Sequence, residues 1–318
     1  MNRPLYILLL GGAKRVSMGR MLIDAGRRAG YDVSLFSYEL DEHVPIAVTA
    51  RIIVGRRWKD PALYSHLHSV VEEHHIHIMI PFVDGAVGVV ARYRDIYRDI
   101  WAPVGATMRV EAMFDKIAAD RLFREASIPV PETYTKGRPS FPLIAKPRFG
   151  SASQGIRIID NPRDFRDVTA DSDSYILQEY IANRKEYTVD CYVTDDADII
   201  CAVPRLRIEI IGGEVSRTAT VDRPDIVSLS YTVLARLGLR GAVTLQFIHD
   251  LTSGRLLLME INPRLGGGAV CSVHAGADIP SYIIAEATGS PLSECTDWKT
   301  GTEIVRYQQE VVFHNESK

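Results

Sequence analysis

The run at residues 259–268, MEINPRLGGG, decides how the rest of the chain is read. It closes an apolar strand, RLLLMEIN (255–262), on an acid and an amide two residues apart. Side chains alternate along a strand, so one face is expected to hold Leu256, Leu258, Glu260 and Asn262, and the other Leu257, Met259 and Ile261. A strand built only for packing would keep its apolar stripe, whereas this one turns polar at its end. The preceding strand AVTLQFI (242–248) and the turn HDLTSG (249–254) predict a hairpin centred near Ser253, with Gln246 opposite Glu260. A slip of one residue would break that register. In it, Gln246, Glu260 and Asn262 aim their oxygens at one spot. Oxygen donors without histidine or cysteine suit Mg²⁺ or Mn²⁺. Only one of the three is anionic, so phosphate oxygens of a nucleotide would have to complete the shell. Arg264 follows where its fork can meet a phosphate or a carboxylate. The same residues also make a hydrogen-bonded cluster closing a sheet edge, and this segment alone does not choose.

Upstream, IAKPRFGSASQGIRI (144–158) ends a strand on Lys146 and continues as a small-residue loop with Gly150, Ser151, Ser153 and Gly155. Glycines let backbone N–H groups approach phosphate oxygens, and serines add donors. No GK[ST] and no helix follow, so this is not a P-loop; it is a hairpin flap, or, taken alone, an ordinary glycine-rich turn. LQEYI (177–181) sets a polar pair, Gln178 and Glu179, between apolar neighbours, with Tyr180 and Ile181 next. A flat ring fits such a slot and can read backbone groups there. Glu186 follows, able to accept from ribose hydroxyls; by itself it is a solvated strand-end carboxylate.

The amino-terminal part reads as strand LYILLL (5–10), loop GGAKRVSMG, a helix ended by Gly30, and strand VSLFSY (33–38) before Glu39. With strand IHIMIP (76–81) and the helix after it, residues 1–108 form a small doubly wound parallel sheet. The loop lacks GxGxxG spacing, so a tight turn is preferred to a dinucleotide site despite Glu39. Asp84 lies at a carboxyl-end crevice and is read as a helix N-cap. One helix is expected from Thr107, its N-cap, through MRVEAMFDKIAADRLFREA, carrying Lys116. The prolines of IPVPE (128–132) break the chain, and strands then alternate to a helix bounded by Pro224 and Gly238.

Composition narrows the class. The chain has 318 residues, net charge −3 and 46% hydrophobic residues, which excludes a general nucleic-acid or membrane binder. LYILLL is too short to span a membrane and is followed at once by GGAKR, which does not suit a secretion signal. Cys191, Cys201, Cys271 and Cys295 show no CxxC spacing, which fits a reducing cytoplasm.

Taken in order, these segments resemble the ATP-grasp superfamily, most closely its carbamoyl-phosphate-synthase-large-subunit-like carboxylate–amine ligases. The resemblance rests on IAKPRFGSASQGI, LQEYI with KEYTVD, and LQFI with LMEINPRLGGG. It implies an α/β and α+β fold: a doubly wound pre-ATP-grasp domain (1–108), a lid subdomain with the flap (109–182), and a carboxyl-terminal domain with a mainly antiparallel sheet (183–318). It implies that Lys116 and Lys146 reach the ATP phosphates and that residues 150–155 cover them. Glu179 and Ile181 would contact adenine through their backbones, beside Gln178 and Tyr180, and Glu186 would bind ribose. Gln246, Glu260 and Asn262 would hold Mg²⁺ or Mn²⁺, and Arg264 would stabilise the transferring phosphate. Gln178 and Gln246 stand where many members have acids. A chain of 318 residues holds one grasp module, so synthesis of carbamoyl phosphate is not the implied task.

The implied activity is ADP-forming ligation of a carboxylate to an amine or thiol through an acyl-phosphate. Its partners would be small molecules, with a homodimer as the assembly to test. Arg205, Arg207 and Arg217 either grip the acid or form a surface ion-pair ladder, and Gly266, Gly267 and Gly268 leave room for the acceptor. His274 lines that pocket or is structural. The alternatives are a catalytically silent nucleotide sensor with the same fold and, using residues 1–40 alone, an NAD-dependent oxidoreductase.

Overall fold

The computed structural model describes residues 3–134, 139–150, 154–169 and 173–314. The first strand, β1 (Arg3–Leu10), is apolar on both faces, as a parallel strand covered on two sides must be. Ile7 and Leu9 join one core, while Leu8 and Leu10 join a second. Helix α1 (Val16–Arg28) covers the first face; β2 (Tyr31–Glu39), β3 (Arg51–Val54), α2 (Leu63–His74), β4 (Ile78–Pro81) and α3 (Asp84–Tyr97) follow. The four strands are parallel in the order β3-β2-β1-β4, so the order reverses between β1 and β4. Buried Glu39 accepts from Ser37 Oγ at 2.7 Å and from the N–H groups of Gly12 and Ala13. It is spent on holding the glycine loop, as the tight-turn reading requires.

The helix expected as one piece from Thr107 is two, α4 (Thr107–Ala112) and α5 (Lys116–Glu125). Asp115 makes the break, because its carboxylate caps α5 through the N–H groups of Ile117 (3.1 Å) and Ala118 (3.2 Å). Thr107 is no cap; its hydroxyl donates to Asp95 Oδ2 at 2.6 Å. The break puts Lys116 on the first turn of α5, where its N–H donates to the Arg148 carbonyl.

A small antiparallel sheet, β6-β5-β7, comes next, from β5 (Leu143–Pro147), β6 (Arg157–Ile159) and β7 (Tyr175–Glu179), with α6 (Pro162–Thr169) between the last two. The large sheet is built from β8 (Arg184–Val193), β9 (Ile199–Ile211), β10 (Glu214–Thr220), β11 (Gly241–Asp250), β12 (Leu256–Asn262) and β13 (Glu303–Val305). It is antiparallel in the order β12-β11-β8-β9-β10-β13. Helix α7 (Pro224–Leu237) packs on it and ends before Gly238, as its bounding residues predict. Helices α8 (Ala269–His274) and α9 (Ile279–Ala287) complete the chain order. Ile279, Ile283 and Ile284 of α9 share one core with α1, β1 and β9, so the parallel sheet and the large sheet are joined through a common apolar layer. Among the described residues no helix is long and apolar enough to cross a membrane, and all four cysteines are free thiols.

Candidate active site

The strand pair β11–β12 has the register expected of it: Gln246 faces Glu260 and Thr244 faces Asn262. The ladder then slips, with Phe247 facing Leu258, so Met259 is an extra residue in β12. This bulge corrects the expected division of faces. Leu256, Leu258 and Ile261 pack into the core beneath the sheet. Leu257 and Met259 instead pack with Ile181 and Ile248, and Glu260 lies on the same cleft side as Met259. One extra residue reverses the alternation at the point where the strand turns from apolar to polar. An apolar ledge therefore runs directly into the acid and the amide.

Gln246 Nε2 donates to Glu260 Oε1 at 2.5 Å and Asn262 Nδ2 donates to the same oxygen at 2.9 Å. Turning either amide over would present its oxygen to the point its nitrogen now serves. Among the described residues no three His, Cys, Asp or Glu side chains gather into a metal cluster. The donor chemistry fits a hard cation that takes one carboxylate and two amide oxygens and relies on phosphate for the rest.

Beside this trio a cleft of about 390 Å³ opens between the small and the large sheets. Ile144, Ile156 and Ile158 line it from the small-sheet side, and Ile248 and Met259 from the large sheet. Its polar end holds Lys116, Lys146 and Glu260. Lys146 is 8% exposed, and its Nζ donates to Gln178 Oε1 at 3.0 Å. Burial holds its ammonium below the usual lysine range; Glu260 opposes that shift and Lys116 adds to it. Burial also lowers Lys116, whose Nζ donates to the Gly150 carbonyl at 2.7 Å. Gln178 is fixed in turn by donating to Asp120 Oδ1 at 3.2 Å. Two lysines thus sit partly desolvated with neutral partners. Gly150 lines the cleft and Gly155 follows in the turn before β6. Ser151 and Ser153 lie outside the described residues.

The segment expected to read a ring is already partly engaged. The Glu179 N–H donates to the Glu132 carbonyl, and its carboxylate accepts two bonds from Arg255, at 2.9 and 2.7 Å. Burial would raise the Glu179 pKa, but Arg255 and the Glu132 N–H outweigh it and hold the carboxyl below its usual value. The Tyr180 N–H donates to Pro142, and the Ile181 carbonyl accepts from Arg184 at 2.8 Å. Arg184 also pairs with Glu186 at 2.9 Å and stacks 5.4 Å from the Tyr180 ring centroid. Arg207 Nε lies 3.5 Å from Glu186 Oε2 but is buried without a hydrogen bond.

A second cavity, also of about 390 Å³, lies beyond Glu260 and shares Arg207, Gln246 and Glu260 with the first. Gly266, Gly267 and Gly268 line it, as does Arg264. The Arg264 carbonyl accepts from Thr244 Oγ1 at 2.9 Å, and its Nε donates to Asp84 Oδ1 at 2.6 Å. Asp84 is therefore not the expected cap: α3 starts at Asp84 itself after an uncapped Val83, and the carboxylate reaches across to Arg264. Arg205 is buried and bidentate to Asp190, at 2.6 and 3.0 Å, with Thr218 taking a third nitrogen. Arg217 stands apart on β10, where its Nε pairs with Glu303 at 2.6 Å, both half-exposed. His274 lines a further cavity that also contains Arg15, Arg306 and Gly267. Arg184, Arg15 and Arg306 were not assigned from the sequence, whereas Asp84 was placed at its crevice but read as a cap. For Arg15 the position just past strand β1 was the one available signal.

A cleft between a small and a large antiparallel sheet, together with a parallel sheet at the amino-terminal end, is the arrangement with which the comparisons agree. The family described as "ATP-grasp in the biosynthetic pathway with Ter operon" matches residues 171–310. The methylcrotonoyl-CoA carboxylase subunit alpha of Oryza sativa subsp. japonica is 24% identical over 217 residues, covering 58% of this chain and 29% of that protein. The carbamoyl phosphate synthase large chain of Thermotoga petrophila is 23% identical over 193 residues, covering 54% of this chain and 17% of that one. The chain thus spans less than a third of the length of these relatives. The biotin carboxylase–βγ-ATP complex of Campylobacter jejuni superposes with a TM-score of 0.76 at 17% identity, over 94% of this chain and 74% of that one. All of these likenesses fit the ATP-grasp superfamily, which the sequence resembles, and the superposition shows a shared fold.

Proposed function

We propose that this chain is an ADP-forming ligase that activates a carboxylate with ATP and joins it to an amine, or to a thiol. The observation that carries this is the continuity of the two cavities. Lys116 and Lys146 face one, Arg264 faces the other, and Glu260 lines both. In this reading the apolar slot takes adenine and the two lysines neutralise the phosphates under the flap. Mg²⁺, or Mn²⁺, held by Gln246, Glu260 and Asn262 would add charge neutralisation at the β- and γ-phosphates. A substrate carboxylate oxygen attacks the γ-phosphorus, the bond to the β–γ bridging oxygen breaks, and ADP leaves with that electron pair. The amine then attacks the acyl carbon, the carbon–oxygen bond to phosphate breaks, and phosphate departs while the amine gives up a proton. No nucleophile from the protein is needed. Arg264, aimed by Asp84, would meet the charge that develops on the transferring group. We read residues 1–108, 109–182 and 183–318 as the three parts that enclose this chemistry.

The test is ADP release with ATP–Mg²⁺, pooled small carboxylates and pooled amino acids. Acid- and amine-dependent turnover is expected, and Glu260→Ala is expected to lower it by about 10³-fold or more. Turnover unaffected by Glu260→Ala would overturn the reading. ATP binding with no acid-dependent turnover would favour the silent sensor instead.

A further inference from the structure

The loop after β1 was left without a role by the sequence, yet its Arg15 lines both the acceptor cavity and the larger cavity of about 650 Å³ next to it. Arg15 follows β1 and Asp84 follows β4, the two strands between which the parallel order reverses. Ligands of open α/β sheets sit at that reversal, outside the carboxyl ends of the strands.

The charges there do not balance. Arg264 has Asp84, and Arg205 has Asp190. Arg306 pairs with Glu214 at 2.9 Å, and Lys14 and Arg15 act on that same carboxylate through space. Among the described residues Arg15 makes no salt bridge: partly buried, it feels Glu214 and Asp84 only through space, and both are already paired, with Arg306 and Arg264. A partly desolvated cation that must share its counter-ions is poorly compensated, and a bound anion relieves that cost. Geometry marks the point. A Cβ added at Gly267 would stand 2.7 Å from Arg15 Nη1 and 2.6 Å from Arg306 Nη2, so the absence of a side chain there lets two guanidinium groups converge; Arg306 Nη2 also donates to the Gly267 carbonyl.

We propose that the acid used by this site carries a second anionic group, a carboxylate or a phosphate, held between Arg15 and Arg306 at the far end of the acceptor cavity. This rests on the ligase reading above. The activated carboxylate lies by Glu260 and Arg264, and the second group lies beside Gly267. The planar forks of two arginines serve a carboxylate and a phosphate equally well. An acid with a single carboxylate and no tail would leave Arg15 as it stands now.

The test compares pairs of acids that differ by one anionic group: valerate against glutarate, and glycerate against 3-phosphoglycerate. Two readouts run in parallel on the full chain. One is kcat/KM for ADP release with pooled amino acids. The other is the thermal-unfolding shift produced by each acid in the presence of a non-hydrolysable ATP analogue and Mg²⁺. The dianionic member of at least one pair is expected to be favoured about tenfold or more. Arg15→Gln and Gly267→Ala are each expected to shrink that preference to less than about threefold, with KM for ATP retained. Should Arg15→Gln fail to fold, Arg306→Gln on the partly exposed edge repeats the test. The pair that shows the preference tells carboxylate from phosphate. Equal use and equal stabilisation within both pairs, or a preference that survives all these variants, would overturn the proposal. If no acid supports ADP release, the ligase reading falls, and the unfolding shift still decides: an Arg15-dependent shift with a dianion upholds the anion site, and none rejects it.

Discussion

Lys146 and Arg205 are both buried cations, but the two sides of the site hold them in opposite ways. In the first cavity, Lys146 hydrogen-bonds a neutral amide, Gln178, and burial pulls its pKa down. In the second, Arg205 is closed into a bidentate pair with Asp190, which Ser272 also supports at 2.6 Å. Both cations line a cavity, as does Arg264, which is itself paired with Asp84, so lining alone does not tell a binding residue from the framework. What separates Lys146 from Arg205 is that no carboxylate hydrogen-bonds it. By that criterion Arg207 and Arg15 fall with Lys146.

The largest test of this contrast is Asp190→Asn. It leaves the Arg205 guanidinium buried with a neutral partner, and denaturant unfolding should show a loss of about 3–5 kcal/mol. A change of only a few tenths would mean that Arg205 is not framework and would erase the distinction. Next comes Lys146→Met. No ion pair is broken and a desolvated charge is removed, so stability should hold or rise slightly. ADP affinity, measured calorimetrically with Mg²⁺, should fall about 10- to 100-fold, the worth of a charge-assisted contact to phosphate. Unfolding on a par with Asp190→Asn would show the two lysine and arginine sites to be alike.

The smallest effect is expected at the turn that sets the β11–β12 register. Asp250 accepts from Ser253 Oγ, from the Thr252 and Ser253 N–H groups and from Arg255, and its pKa falls from 3.8 to about 2. A carboxyl lowered on folding stabilises the fold above its unfolded value, and that contribution is lost as pH falls from 3.8 towards 2. Asp250→Asn should flatten the pH dependence of the unfolding midpoint across that interval. An unchanged slope would show that these turn contacts carry no stability.

The same contrast explains how far the sequence could be read. Interactions between neighbouring strands were legible: the turn around Ser253 placed Gln246 opposite Glu260, and the continuous apolar run of β1 announced a strand buried on both faces. The acceptor side was not legible, because its groups meet from distant segments. Arg264 reaches Asp84 across 180 positions, and Arg306 comes to Gly267 from past the last strand. No local pattern encodes such meetings. The break before Lys116 was missed for a different reason: helical periodicity runs through it, and only the capping carboxylate of Asp115, which also accepts from Arg148, interrupts it. Leu256 and Leu258 were placed on the face of Glu260 because strict alternation has no place for a bulge.

That bulge frees the site from an exact count of residues. Without Met259 the strand would alternate strictly, with Leu258 in the core and Glu260 in the cleft; with it, the same acid still faces Gln246 and the cleft. One residue is absorbed and the aim of the acid is unchanged. An alignment of this strand with an unbulged one keeps acid against acid only if its gap falls at Met259.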